Sequence, residues 1–288
     1  MNIPLQGGLG NQLFQLAAGL VVEQRLGKAV TYSDHWLRNP APGETPRTFA
    51  LQGLLRPGEL VSSATDRAGH VTDRILNHRV VERSSDDDAL RRVGRHTRVL
   101  VGYLQRLDYA EDAWPALRDR LASSSDAGHR RLVQPDDAPY GALHYRLGDY
   151  RSNPTANAMH GVTSPEYFAE VIRSKTALTG ITDWLVVSDD PATALELLRS
   201  AELPTGATLR TVESSGEWQD LGLLAAARVC AISNSSFSWW AAFLGRRSRD
   251  MQVVAPRPWF LDGTGAEPHL FPVDWERLDR SVLPAHGG

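Results

Sequence analysis

Ala142-Leu143-His144-Tyr145-Arg146-Leu147-Gly148-Asp149-Tyr150 begins as an apolar strand and breaks into a polar turn. A buried strand has no packing use for several ionisable side chains at its carboxyl end. In open α/β sheets that end is where ligands bind. An arginine in the turn points to an anion, because a guanidinium fork fits a phosphate or carboxylate bidentately. The competing reading is a surface ion-pair cluster, since charged turns are common. The neighbouring segments decide between the two.

Downstream, strands and helices alternate. The pattern predicts strands at 141–145, 184–188, 208–212, 229–233 and 251–255. Helices are predicted from Ser164-Pro165 to about Lys175, after Asp190-Pro191 to Arg199, over 217–228 and over 237–244. Such alternation implies βαβ units and a parallel sheet. Polar residues follow three of these strands: His144, Arg146 and Asp149; Ser188, Asp189 and Asp190; Asn234, Ser235 and Ser236. In a parallel sheet all three groups emerge at one edge, which argues for a ligand site. Asn234-Ser235-Ser236 precedes a helix, so it either caps that helix or holds an anion with the first free N–H groups. Asp189 is either a helix cap or an acceptor for ribose hydroxyls or a base N–H. Trp239 and Trp240 lie on an otherwise apolar helix, and at least one of them reads as core. Ser188-Asp189-Asp190 lacks carboxylate partners at a metal-ligand spacing, so no metal is assigned.

The amino-terminal half opens on a short strand over 1–5 and then Gln6-Gly7-Gly8-Leu9-Gly10-Asn11-Gln12-Leu13-Phe14-Gln15. A glycine loop followed by a helix to Leu26, stopped by Gly27, looks like an anion cradle. It is not the dinucleotide fingerprint, whose third glycine would fall at Leu13, and no Lys-Ser or Lys-Thr completes a phosphate loop. A dehydrogenase is therefore disfavoured. Asn11 and Gln12 suit sugar hydroxyls, although Asn11 could equally cap the helix. Further strands are expected at 29–32 and 99–105 and a helix at 109–122. Residues 53–98 show weak periodicity, and their Ser84–Asp88 run reads as a solvated loop or helix start. Residues 123–139 are rich in serine, aspartate and proline, and divide a domain at 1–135 from one at 136–288.

With 288 residues, 42% hydrophobic and 23% charged, the chain can build a sizeable core. A net charge of −3 gives no electrostatic case for nucleic acid or an anionic membrane. The one cysteine, Cys230, excludes an internal disulfide and a multi-cysteine zinc site, and its apolar surroundings read as core. No signal peptide or membrane-spanning run is evident. Together these features suggest a cytoplasmic location, possible peripheral contact with the inner membrane, and an unknown oligomeric state.

Residues 7–15 resemble the opening motif of glycosyltransferase family 11, the α-1,2-fucosyltransferase family. His144–Tyr150 is similar to its His-x-Arg-x-Gly-Asp-Tyr motif, Val187–Asp190 to its Ser-Asp-Asp segment, and Asp220-Leu221 through Ile232–Trp240 to its last motif. Gly102–Gln105 and Pro256–Phe260 fit weaker segments. Leu147 and Phe243 depart from residues common in relatives, arginine and tryptophan, and neither removes a group the chemistry needs.

The resemblance implies an α/β, GT-B-like fold: two Rossmann-like halves facing a cleft, with the acceptor on 1–135 and the GDP-sugar on 136–288. It implies an inverting transfer of L-fucose from GDP-L-fucose to a glycan hydroxyl, without metal or other cofactor. The alternatives are another GDP-sugar such as GDP-L-galactose, or a non-catalytic nucleotide-sugar or glycan-binding protein. Arg146 is then expected to hold the departing β-phosphate, with His144 supporting it. Ser235, Ser236 and Phe237 would hold the same diphosphate, and Asp189 would meet the guanosine. Asn11, Gln12, Ser188, Asp220 and Asn234 complete the expected substrate contacts. Asp149 is either the general base or the ion-pair partner of Arg146. The acceptor is expected to be shaped by residues 53–98 and 151–162.

Overall fold

The computed structural model describes residues 1–40, 46–61, 78–84, 87–134, 138–148, 161–261 and 267–280. The chain forms two compact units, one of Met1–Asp126 with Pro268–Leu270 and one of Ala127–Glu267 with Phe271–Gly288. Both are α/β, each built on its own parallel sheet. The chain passes between them at Asp126–Ala127, before the division read at residue 135.

The first unit carries five parallel strands: β1 (Asn2–Pro4), β2 (Thr31–Ser33), β3 (Leu60–Val61), β4 (Arg79–Val81) and β5 (Val99–Val101). Their spatial order is β3-β2-β1-β5-β4. The helix α1 (Leu9–Leu26) follows β1, and Phe14, Ala17, Ala18 and Val21 on it are fully buried. It packs on the helix α2 (Leu107–Ser123), which contributes Tyr109, Ala113 and Leu117 to the same core. The expected strand over 99–105 ends at Val101, and the loop after it carries Leu104 in a left-handed backbone with φ 56°. β3 and β4 were not read from the sequence; each is two or three residues long and partly exposed, too short for a period to show.

The second unit has six strands: β6 (Ala138–Tyr145), β7 (Asp183–Ser188), β8 (Thr208–Arg210), β9 (Ala227–Ala231), β10 (Gln252–Arg257) and β11 (Glu276–Asp279). Their order, β11-β10-β9-β6-β7-β8, follows the dinucleotide-fold rule of two strand runs diverging from a central pair. Helices α3 (Pro165–Thr179), α4 (Pro191–Ser200), α5 (Glu217–Ala226) and α6 (Ser236–Ser248) connect them. β9 begins earlier than expected and α5 ends earlier, so Ala227 and Arg228 pass from helix to strand. β11 was missed because Glu276-Arg277-Leu278-Asp279 is a charged edge strand with no apolar run.

The core of this unit gathers Leu143, Tyr145, Phe168, Ile172, Trp184 and Val186. Burial of such side chains contributes roughly 1.5–3 kcal/mol each. Both Trp239 and Trp240 are core residues, and Trp239 stacks on Phe243 with centroids 5.2 Å apart. Cys230 is buried, and burial pushes its thiol up to about 12, so it stays a thiol at neutral pH. No helix among the described residues is long and apolar enough to cross a membrane.

Candidate active site

β6 lies between β7 and β9, where the two strand runs diverge. The registers Tyr145↔Ser188 and Leu143↔Ala231 bring the turns after all three strands out side by side. The turn after β6 is held by the carboxylate of Asp189. Its Oδ1 accepts the Leu147 N–H and its Oδ2 the Gly148 N–H, each at 2.9 Å. Oδ2 also pairs with Arg146 Nη1 at 2.9 Å. Both side chains remain about a quarter exposed, at 23% and 24%. Gly148 is required by this approach, since a Cβ there would stand 2.4 Å from Asp189 Oδ2. Asp189, expected to meet guanosine, fixes the arginine turn with these oxygens. The helix cap belongs to its neighbour, where Asp190 Oδ1 accepts the Thr193 N–H at 3.2 Å.

Ser188 was also expected to contact substrate. Its hydroxyl donates to the Tyr145 carbonyl at 2.6 Å and accepts the Asp190 N–H at 3.1 Å, which locks the two turns together. His144 is buried, with Nδ1 2.9 Å from Ser233 Oγ and its ring 5.3 Å from that of Phe237. Burial first, and the Arg146 charge second, hold its imidazole far down, at about 3. It is therefore neutral at physiological pH and supports the arginine turn without contributing charge.

The third turn leads into α6. Ser235 occupies the cap position but makes no side-chain cap bond. Its carbonyl accepts the Trp239 N–H at 3.0 Å, so the helix starts with the Ser236 and Phe237 N–H groups ahead of its first backbone bond. Ser235, Ser236 and Phe237 are half-buried at this edge. A helix start carries partial positive charge, so this edge supplies an anion with N–H groups, hydroxyls and the Arg146 fork. Asn234 is buried beneath it and donates to the Trp259 carbonyl at 3.2 Å. Asp220 lies in the first turn of α5, half-buried, and burial raises its carboxyl above the usual range. Among the described residues no group of three or more His, Cys, Asp or Glu could hold a metal ion.

In the first unit, Gly7 has φ 72°, a left-handed turn that glycine adopts without strain. The cap position of α1 is Gly8, which leaves Asn11 inside the first turn and not as the cap. Asn11 is half-buried and accepts from Gln105 Nε2 at 2.7 Å. Gln12 is fully buried. Its Nε2 donates to the Gly7 and Thr48 carbonyls at 3.0 and 2.9 Å, and its Oε1 accepts the Ala50 N–H at 2.9 Å. Those three bonds make it a strut for the glycine loop. Asp149, Tyr150 and most of the loop 151–162 lie outside the described residues, as do residues 62–77. Sequence reading missed Ser233, Gln105 and Glu82. Ser233 had a visible signal, a serine ending the strand beside His144; Gln105 had only the weak resemblance of its segment to the family, and Glu82 had none.

Comparison with known proteins places the chain in a family. The model of glycosyl transferase family 11 matches residues 73–276. The O-antigen biosynthesis glycosyltransferase WbnK of Escherichia coli is 26% identical over 285 residues, 89% of this chain and 93% of that protein. An alpha-1,2-colitosyltransferase of Escherichia coli is 31% identical over 140 residues, 48% of this chain and 47% of its own length. Among solved structures, POFUT1 in complex with GDP-fucose is 13% identical with a TM-score of 0.41, over 87% of this chain and 95% of that one. With its sequence matched from β4 to β11 and a glycosyltransferase aligned along nearly its whole length, the chain belongs to glycosyl transferase family 11.

Proposed function

We propose that this glycosyltransferase is an inverting α-1,2-fucosyltransferase. It moves L-fucose from GDP-L-fucose to a hydroxyl of a galactose-containing glycan. The observation that carries the reading is the Arg146 turn standing beside the free start of α6. These groups suit a diphosphate whose negative charge grows as the glycosidic C–O bond breaks. Preorganised donors aimed at developing charge are commonly the largest catalytic contribution.

Inversion is a single displacement through an oxocarbenium-like state. The acceptor oxygen forms a bond to the anomeric carbon on the face opposite the departing GDP, and its proton passes to a base. Asp149 is our assignment for that base, with a general-base contribution of about 10²–10⁴. Arg146, Ser235, Ser236 and the Phe237 N–H hold the diphosphate without a metal ion. Asp220 accepts from the guanine N–H groups, and Asn234 holds the loop beneath the nucleotide. Asn11 serves the acceptor sugar. The enzyme works in the cytoplasm, touching the membrane surface where lipid-linked acceptors are presented.

A second reading is favoured by the colitosyltransferase relative. Colitose is fucose without its 3-hydroxyl, so one nucleotide site could serve either sugar. The test is GDP release from GDP-L-fucose, GDP-colitose and GDP-L-galactose, with and without lactose and with EDTA present. Acceptor-dependent release from GDP-L-fucose, unaffected by EDTA, supports the reading. Release from another GDP-sugar alone, or loss with EDTA, refutes it.

A further inference from the structure

The sheet of the first unit has its own point of divergence. From β1 the chain steps outward to β2 and β3; β5 returns to the other side of β1, with β4 beyond it. Ligands of open α/β sheets sit outside the strand ends at such a point. The segments leaving β1 and β5 there carry Asn11 and Gln105, joined by their amides at 2.7 Å. Two amides bonded to each other once always leave one NH2 group and one carbonyl oxygen, whichever way each is turned. No other side-chain hydrogen bond engages Asn11 or Gln105 among the described residues, and both are half-buried. An adjacent donor and acceptor on a fixed frame match a pair of neighbouring sugar hydroxyls, each of which both donates and accepts.

The frame is built for this loop. Glu82, just after β4, uses one oxygen, Oε2, to accept the Tyr103 and Leu104 N–H groups at 2.8 and 3.1 Å. Leu104 is buried and is the described non-glycine residue with positive φ, 56°. Gln15 ties the carbonyl of Gly102 at 3.0 Å and the N–H of Gln6 at 3.1 Å, so the loops after β5 and β1 share one side chain. Tyr103, on the same loop, is 39% exposed. An exposed aromatic next to convergent polar groups is how proteins meet the mixed apolar and hydroxylated faces of a sugar.

We propose that Asn11 and Gln105, with Tyr103, form the binding site for the acceptor sugar, and that Glu82 is its positioning residue. This rests on the reading of the chain as a transferase with a glycan acceptor, and it adds Gln105, Tyr103 and Glu82 to the residues that determine which acceptor is used.

The experiment pairs saturation-transfer NMR of the full chain, using lactose and a panel of galactose-terminated oligosaccharides without donor, with steady-state kinetics. In Gln105→Ala the sugar signal falls and the acceptor KM rises about tenfold or more, the cost of one lost polar contact. The donor KM stays within about twofold. Glu82→Gln raises the acceptor KM by a smaller factor and again spares the donor KM, a split that general loosening of the fold does not produce. Tyr103→Ala, at an exposed position, keeps the melting temperature and loses sugar signal, and so decides the matter if Gln105→Ala does not fold. Unchanged sugar signal and acceptor KM in both variants overturn the proposal, as does a rise in donor KM in place of acceptor KM. A wild-type chain that binds no member of the panel also overturns it. A wild-type chain that binds sugar through Gln105 but does not turn over GDP-L-fucose upholds this site and refutes only the donor assignment.

Discussion

Asp189 binds Arg146 at 2.9 Å through the same oxygen that accepts the Gly148 N–H. The guanidinium and the backbone of its own turn are thus fixed by one carboxylate carried on the neighbouring strand. The proposed displacement needs its cation preplaced, and this pair preplaces it.

Arg146→Ala should lower kcat by about 10²–10³ while leaving the fold intact, because the side chain is partly exposed and not part of the core. The check is kcat for GDP release beside the circular dichroism melt. Near-full activity would remove the leaving-group role.

Asp189→Asn replaces an acceptor-only group by one whose NH2 faces either the Leu147 N–H or the Gly148 N–H and Arg146. Stability should fall by about 1–3 kcal/mol, read by urea unfolding. Activity should fall with it, and the Arg146→Ala, Asp189→Asn double variant should lose far less than the product of the two single losses.

Gly148→Ala places a methyl 2.4 Å from Asp189 Oδ2, so the carboxylate or the turn must shift. Expected is a kcat loss of about tenfold or more, since small misplacements of a catalytic group are costly. Addition of inorganic diphosphate should protect this variant from thermal unfolding less than it protects the wild type.

His144 gives a pH signature with a definite sign. Its folded value is held down at about 3 by burial and by Arg146, far below the usual histidine value of about 6.5. Below that usual value the unfolded chain takes up a proton that the folded chain refuses. The contribution is therefore complete above about pH 6.5 and is lost as pH falls toward 3, by up to about 1.4 kcal/mol per pH unit. His144→Asn should flatten the melting-temperature profile over that window and leave it unchanged in slope above it.

Gln12→Ala should act on stability ahead of chemistry. It leaves the Ala50 N–H and the carbonyls of Gly7 and Thr48 without their partner, at a cost of about 2–4 kcal/mol. A melting temperature lowered by several degrees with donor KM unchanged is the expected pair of results.

The fold was legible where apolar strands alternate with amphipathic helices at regular spacing, as from Ala142 to Ala255. It was illegible at β3, β4 and β11, where tertiary pairing and not local pattern makes the strand. At the site, residue types told where the turns would converge but not which atoms they would spend. Asp189, Ser188 and Gln12, which were read as ligand contacts, each also bind neighbouring backbone, a use that residue type alone does not reveal. The Arg146–Asp189 pair was not read from the sequence, because spacing along the chain favours the near carboxylate, Asp149, and strand pairing brings in the far one. Gln105 lies in a segment that only weakly resembles the family; its meaning comes from β5 returning beside β1.

The carboxylate that steadies Arg146 also limits what the arginine can keep. A guanidinium with no counter-ion would grip the spent nucleotide as firmly as the reacting one, and turnover would stall on product. With Asp189 always present as a rival anion, inorganic or nucleoside diphosphate leaves an arginine that is already paired, and the turn returns to its resting geometry without rearrangement. On the proposed reading, departure of GDP should therefore be fast, and weakening that rivalry should turn a freely cycling enzyme into one slowed by its own product.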